Sequence, residues 1–411
     1  FKQEGKPHKD LRTLGMLGAG FMGAGITEVS VFKGIDVLLK DLQAESLQNA
    51  KQQIWKSIAK KLKYKTISKT DAEETMGRVQ ARLDYADFEN ADIVIEAVVE
   101  KMSVKKSIIK EIEEICPNDT IVASNTSSLS LTEMIQGAKR PENIIGMHYF
   151  SPVPKMPLLE IVRTEKTSTE AIAACYDFGI KQGKVVVVVR DCPGFYVNRI
   201  LAPYLNECLI MADEGIALDA IDKALIKKGF PVGPISLLDE VGLDIAAHVA
   251  ESSAEALTQG REGFEANTAT TQMLKDGRLG KKNKKGFYNY EEKKGRVRKV
   301  GIDPTAYKYF KGNGDKQMDV VDIQDRSLLL MINEAVMCLE EGIISSPSDG
   351  NLAAVFGIGF LPFTGGPFRY IDQQGAAKIV ARMEEMKAKY GVKFNPRPLL
   401  VDYAKGNKKF C

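Results

Sequence analysis

The chain has no run of 18 or more apolar residues, so no segment of it is expected to cross a bilayer as a helix. Its cysteines lack order: Cys116, Cys175, Cys192, Cys208, Cys338 and Cys411 stand apart, with no CxxC pair and no histidine at metal-ligand spacing. That excludes a recognisable zinc motif, predicts no metal site and fits reduced thiols without disulfides. Excess charge is also lacking, since a formal +3 over 411 residues points to no nucleic-acid partner. Histidine is scarce, three in all, and tryptophan is single, so imidazole chemistry has few places to occur. The opening FKQEGKPHKD holds neither a methionine nor an apolar signal core, as expected of a processed product or a piece of a longer chain.

What is present is ordered by texture, and at 411 residues two or three domains are expected. Apolar runs at residues 11–17, 36–39, 93–97, 121–124, 144–150, 158–162 and 185–189 read as strands, mostly separated by helical segments. Such alternation predicts a largely parallel sheet covered on both faces. One long helix is expected over residues 44–65, carrying Lys51, Lys56, Lys60, Lys61, Lys63 and Lys65, with Trp55 packed among them. After DCPGF (residues 191–195) the pattern turns helical, Pro193 and Gly194 marking the change.

The second half repeats itself. NRILAPYLNECLIMADEG (residues 198–215) matches DRSLLLMINEAVMCLEEG (residues 325–342), so that Asn206 and Glu207 fall on Asn333 and Glu334 at an offset of 127. The match continues from GFPVGP to GFLPFTGGP, and from Asp239 and Gly242 to Asp372 and Gly375. One helical unit has been duplicated. Residues 291–322, polar and rich in lysine and glycine, are expected to form an irregular connector. The expected domains are residues 1–191, 192–292 and 293–411.

Gly18, Gly20 and Gly23 form GxGxxG directly after a strand and directly before a helix. The first glycine permits a tight turn, the second lets backbone N–H groups approach a pyrophosphate, and the third lets helix and strand pack closely. Alone the motif marks nothing more than a turn. Here Asp41 ends the next strand, near the spacing of the acid that holds ribose hydroxyls. A carboxylate there repels a 2′-phosphate, which favours NAD over NADP. The fold class is therefore an α/β Rossmann-type dinucleotide-binding domain followed by a duplicated all-α domain.

GMHYFSPVPKMPLLEIV (residues 146–162) carries the candidate chemistry. His148 ends a strand where open α/β sheets present ligands, and Pro152, Pro154 and Pro157 force an ordered crossing to LLEIV. Glu160 interrupts that apolar run, so a partly buried carboxylate needs a partner, and His148 is the simplest one. A carboxylate on one imidazole nitrogen fixes the tautomer and raises basicity, leaving the other nitrogen to take an alcohol proton as hydride departs to a nicotinamide. The structural alternative is a buried His–Glu pair without substrate. His248, in IAAHVAE, is expected to be such a packing histidine. SNTSSL (residues 124–129) crowds hydroxyl and amide groups at a strand end; it caps the next helix, or Ser127 bonds a substrate oxygen.

Taken in order, GAGFMGAGI, VIEAVVE, ASNTSSL, GMHYFSPVPKMPLLEIV, DCPGFYVNRIL and GFPVGP closely resemble the L-3-hydroxyacyl-CoA dehydrogenases over nearly the whole chain. The duplicated unit and the closing GGPFRYIDQQGAAKIV look most like the dehydrogenase part of multifunctional enzymes of the mitochondrial trifunctional type, whose hydratase domain is absent here. The resemblance implies NAD-dependent oxidation of a 3-hydroxyacyl-CoA in fatty-acid beta-oxidation. It makes His148 the general base and Glu160 its orienting carboxylate, with Ser127 and Asn198 on the substrate. It places Gly18, Gly20, Gly23, Asp41, Glu100, Lys105 and Ser151 around NAD, and Lys61 near CoA phosphates, although a charge run is ordinarily a solvated face. It further implies a thiolase beta subunit as partner, a mitochondrial matrix location and peripheral inner-membrane association of the complex.

Two departures from the family stand out. Single-function members commonly read HFFNP where this chain has HYFSP, so Ser151 replaces an asparagine. Asp325 stands in the second copy where Asn198 stands in the first, and no nucleotide domain accompanies it. The second copy is therefore expected to be architectural, supplying within one chain the helical partner that single-function relatives find in a second subunit. Two rivals share the Rossmann start: a sugar-acid dehydrogenase, which relies on lysine or cysteine at its site, and a non-catalytic scaffold that binds NAD.

Overall fold

Alternating apolar runs and helices in the first half of the chain build one eight-stranded sheet. The computed structural model describes residues 9–248, 261–293 and 295–411, in two compact units that divide between Phe195 and Tyr196. The first unit contains β1 (Thr13–Leu17), β2 (Asp36–Lys40), β3 (Val79–Arg82), β4 (Ile93–Glu96), β5 (Ile121–Ser124), β6 (Ile144–Tyr149), β7 (Leu158–Arg163) and β8 (Val185–Arg190). They lie in the order β3-β2-β1-β4-β5-β6-β7-β8. Every position of β4, β5 and β6 is buried, as strands covered on both faces require.

The sheet is not parallel throughout. β1 to β6 run together, but β7 is antiparallel to β6, and β8 follows β7. The reason is length: a parallel return needs a crossover of a dozen or more residues, and the proline-rich stretch between Tyr149 and Leu158 is shorter and carries no helix. β3 has no counterpart in the sequence reading, because VQAR buries only Val79 and lies at the sheet edge.

The helices of this unit are α1 (Phe21–Val31), α2 (Ala44–Lys63), α3 (Lys69–Gly77), α4 (Met102–Ile115), α5 (Leu131–Met134) and α6 (Thr169–Lys181). α2 buries Leu47, Ala50, Ile54 and Ile58, one stripe at helical spacing, and turns its lysines outward. α3 starts with a reciprocal cap in which Ser68 and Asp71 each bond the other's backbone N–H. Chain order reverses between β1 and β4, and the loops that follow these two strands meet: a Cβ on Gly18 would come within 2.7 Å of the Ala97 carbonyl oxygen. That crevice is where sheets of this kind hold ligands.

The second unit is helical. α7 (Val197–Asp213), α8 (Leu218–Lys228), α9 (Pro234–Val241) and α10 (Ala269–Lys275) precede a hairpin, and α11 (Val320–Glu340), α12 (Pro347–Ile358), α13 (Pro367–Gln374), α14 (Ala376–Tyr390) and α15 (Pro398–Lys405) follow it. The hairpin, β9 (Tyr288–Lys293) with β10 (Arg296–Ile302), corrects the expectation of an irregular connector. Tyr288 and Tyr290 alternate inward while Asn289 and Glu291 face solvent, a period-two pattern that the surrounding lysines obscure.

The duplication is visible in the bonds. Asn206 donates to the Glu265 carbonyl at 2.8 Å and accepts from the Asn267 N–H at 2.8 Å; Asn333 treats Asn395 and Arg397 alike at 2.9 Å and 2.9 Å. Across the copies, Arg199 pairs with Glu334 and Glu341, each at 2.7 Å, and its counterpart Arg326 pairs with Glu207 and Glu214. A contact made in both directions in this way is the signature of a twofold-related interface.

Candidate active site

The antiparallel turn of β7 back along β6 sets the central pair. His148 and Glu160 are direct partners in that ladder, so their side chains share one face. His148 Nδ1 lies 2.7 Å from Glu160 Oε2, with the histidine 4% and the glutamate 0% exposed. An ionised carboxylate only accepts, so Nδ1 carries the hydrogen and Nε2 is left as the basic nitrogen. Phe150 and Phe195 flank the imidazole at ring-centroid distances of 4.5 Å and 5.3 Å, holding its plane. His248, expected to pack inside, is exposed instead, and His8 lies outside the described residues.

The glycine loop follows β1. Gly18, at φ +94°, adopts backbone that side chains resist, and a Cβ on Gly23 would stand 1.8 Å from the Gly18 carbonyl oxygen. Gly20, by contrast, has nothing within 4 Å of a built Cβ. No side chain caps the N-terminus of α1, so its first N–H groups remain available to an anion. Asp41 accepts from the Ala19 N–H at 2.8 Å and the Gln43 N–H at 3.0 Å, which brings its carboxylate to the mouth of the glycine loop. These features fit a dinucleotide: open amides for the pyrophosphate and a fixed acid for the ribose hydroxyls.

A third cluster joins the ends of β4 and β5. Lys105, 1% exposed, bonds both oxygens of Glu96 at 2.8 Å and reaches Glu100 at 3.2 Å. Burial works to raise the Glu100 carboxyl, but Lys105, the Thr126 hydroxyl and the Ser127 N–H hold it below the ordinary carboxylate range. Glu100 thereby organises the SNTSSL loop, taking bonds from Thr126, the Ser127 backbone at 3.2 Å and the Ser128 hydroxyl at 3.3 Å. Glu96, bonded also by Ser124, was not singled out from the sequence. Its signal was there: an acid inside VIEAVV stands out as Glu160 does inside LLEIV.

The remaining candidates are more open. Ser127 is half-buried, and Ser151, exposed, lies in the loop after β6. Asn198 is half-buried in the first turn of α7, in the second unit. Lys61 is exposed, its ammonium 3.9 Å above the Phe32 ring. Trp55, expected to pack, is 44% exposed and lines an open groove with Lys51, Arg82 and Leu83. Among the described residues no cluster of three or more metal-ligating side chains occurs.

A glycine loop opening an uncapped helix, an acid ending the second strand and a His–carboxylate pair at a later strand end define a dinucleotide-dependent dehydrogenase by class. Comparison with known proteins narrows it. The NAD-binding domain of 3-hydroxyacyl-CoA dehydrogenase matches residues 13–192, and the C-terminal domain of the same enzyme matches residues 194–290. A crystallised (S)-3-hydroxybutyryl-CoA dehydrogenase from Ralstonia eutropha is 32% identical, covering 69% of this chain and 100% of its own, with a TM-score of 0.64. The 3-hydroxybutyryl-CoA dehydrogenase of Escherichia coli K12 covers 97% of this chain and 100% of its own at 26% identity, with a TM-score of 0.84. The chain belongs to the 3-hydroxyacyl-CoA dehydrogenase family of NAD-dependent oxidoreductases.

A fatty acid oxidation complex subunit alpha from Shewanella amazonensis is 45% identical over 99% of this chain and 57% of its own length. The chain thus spans little more than half of the curated relatives it matches. Those relatives are bacterial, and bacteria have no mitochondria, which overturns the expected mitochondrial matrix location and association with a mitochondrial inner membrane. Among the described residues no helix is long and apolar enough to cross a membrane.

Proposed function

We propose that this chain oxidises an L-3-hydroxyacyl-CoA to the 3-ketoacyl-CoA, with His148 as general base. The observation that carries the reading is the 2.7 Å bond from His148 Nδ1 to Glu160, which leaves Nε2 to receive the hydroxyl proton. When bound, NAD⁺ supplies the hydride acceptor. Glu160 fixes the imidazole tautomer and stabilises the imidazolium that forms as the proton arrives; in the reverse direction that imidazolium is the acid. Ser127 and Asn198 orient the substrate's oxygens, and Lys61 meets CoA phosphate. Gly18, Gly20 and Gly23 shape the pyrophosphate seat, while Asp41 and Ser151 hold the ribose hydroxyls. Glu100 borders the cofactor, and Lys105, enclosed by two carboxylates, acts there through Glu100.

In this reading residues 1–191 bind NAD, residues 192–292 complete the dehydrogenase and residues 293–411 are architectural. The chain serves as the dehydrogenase part of a fatty acid oxidation complex subunit alpha, the name its relatives carry, and a thiolase-type subunit is its partner. His148→Ala is expected to lower turnover at least ~10²-fold while leaving NAD affinity nearly unchanged. The check is NADH absorbance with L-3-hydroxyacyl-CoAs of several chain lengths, alongside NAD titration. Wild-type turnover in that variant sinks the assignment.

A further inference from the structure

We infer that the Gln182–Lys184 turn is a positioning brace for the reaction, holding the dinucleotide helix α1 at a fixed distance from the strand that carries His148. The inference rests on the reading of His148 as base. β6 delivers His148 and then runs, without a helix, through residues 150–157 into β7. Within that loop the Lys155 and Met156 N–H groups both bond the Pro152 carbonyl, at 2.9 Å and 3.0 Å. Two further carbonyls, of Val153 and Met156, accept from the Lys184 ammonium at 2.5 Å and 2.8 Å.

Lys184 is 8% exposed and, among the described residues, has no carboxylate as partner, and burial pushes its amine down to about 8. A cation in the interior is costly unless hydrogen bonds compensate its lost hydration, and here two carbonyls of the loop do so and are tied by it. What it holds is also pressed onto α1. A Cβ on Gly25 would stand 2.9 Å from Val153 Cβ, so this helix accepts the loop only because residue 25 is glycine.

The same turn makes a second link. The Tyr149 hydroxyl, on the residue next to His148, donates to Gln182 Oε1 at 2.7 Å, and Gln182 Nε2 donates to Ser30 Oγ of α1 at 2.8 Å. All three side chains are enclosed in the core. Strand end, loop and dinucleotide helix are therefore tied to one turn by side-chain bonds that form no part of the ladder. Two reacting groups, one set by α1 and one by β6, need relative placement to within about an ångström.

Lys184→Met, which keeps an unbranched apolar stem and removes the donors, is expected to lower kcat about 10- to 100-fold. NAD affinity by titration should change little, and Lys184→Arg should recover part of the loss. Turnover at the wild-type level in Lys184→Met overturns the brace. So does a parallel fall in kcat, NAD affinity and Tm that arginine does not relieve, because that is the mark of general structural damage. If Lys184→Met does not fold, Gly25→Ala carries the test, since its methyl group displaces Val153 with the lysine intact. Reduced kcat with NAD still bound supports the brace, and unchanged kcat overturns it. His148→Ala at wild-type turnover removes the base reading itself, whereas Lys184→Met at wild-type turnover beside an inactive His148→Ala removes only the brace.

Discussion

Asp239 shows how much a single buried carboxylate can weigh. It is fully enclosed, accepts from the Phe287 and Tyr288 N–H groups at 2.9 Å each and from the Tyr290 hydroxyl at 3.1 Å, and stands near a second buried acid, Asp222. Burial, opposed by those three donors and assisted by Asp222, pushes its carboxyl up to about 6. The folded state thus binds this proton more tightly than the unfolded chain. The stability gained from protonation is complete below the ordinary value of 3.8 and is lost as pH rises through about 6. At neutral pH the ionised group costs about 3 kcal/mol relative to its protonated form. Urea unfolding between pH 4 and 7 should show that slope in the wild type and lose it in Asp239→Asn. Equal slopes in the two proteins would refute the prediction.

At the scale of elements, the glycine loop separates two demands that the motif merges. Gly23 is required by packing, so Gly23→Ala should destabilise the protein by about 1–3 kcal/mol, read as a lower urea midpoint. Gly20 has room for a methyl group, so Gly20→Ala should keep Tm and lower NAD affinity about 10-fold, because the methyl occupies the seat of a pyrophosphate. Unchanged NAD binding in that variant would mean the cofactor approaches elsewhere. The loop was legible from the spacing of its three glycines, α2 from its apolar stripe at helical spacing, and the His148 and Glu160 strands because each is an apolar run with one exceptional residue. β3 and the β9–β10 hairpin were not, since an edge strand buries one residue of four and the hairpin's two inward tyrosines lie among charges. The reversal at β7 was legible in principle: three prolines in too few residues cannot hold a crossover helix.

Over the molecule as a whole, the repeat and a pairing of its copies were readable from Asn206 and Glu207 recurring as Asn333 and Glu334, but the residues that join the copies were not, because sequence offset says nothing of which arginine meets which acid. The second unit answers with charge. Arg326 is fully buried between Glu207 and Glu214, and Lys393 adds a second cation on Glu207 at 2.6 Å; Arg199 and Arg261 do the same for Glu334. Burial works to raise the Glu334 carboxyl, yet the two arginines hold it below the ordinary range. Such clusters lose most when one partner is removed and the opposite charge is left stranded. Arg326→Met should therefore lower unfolding free energy by about 3–5 kcal/mol, measured by urea denaturation. Combined with Glu207→Gln it should cost less than the two single changes summed, since removing the acid relieves the stranded charge. Strict additivity would show that Arg326 and Glu207 do not act as a pair.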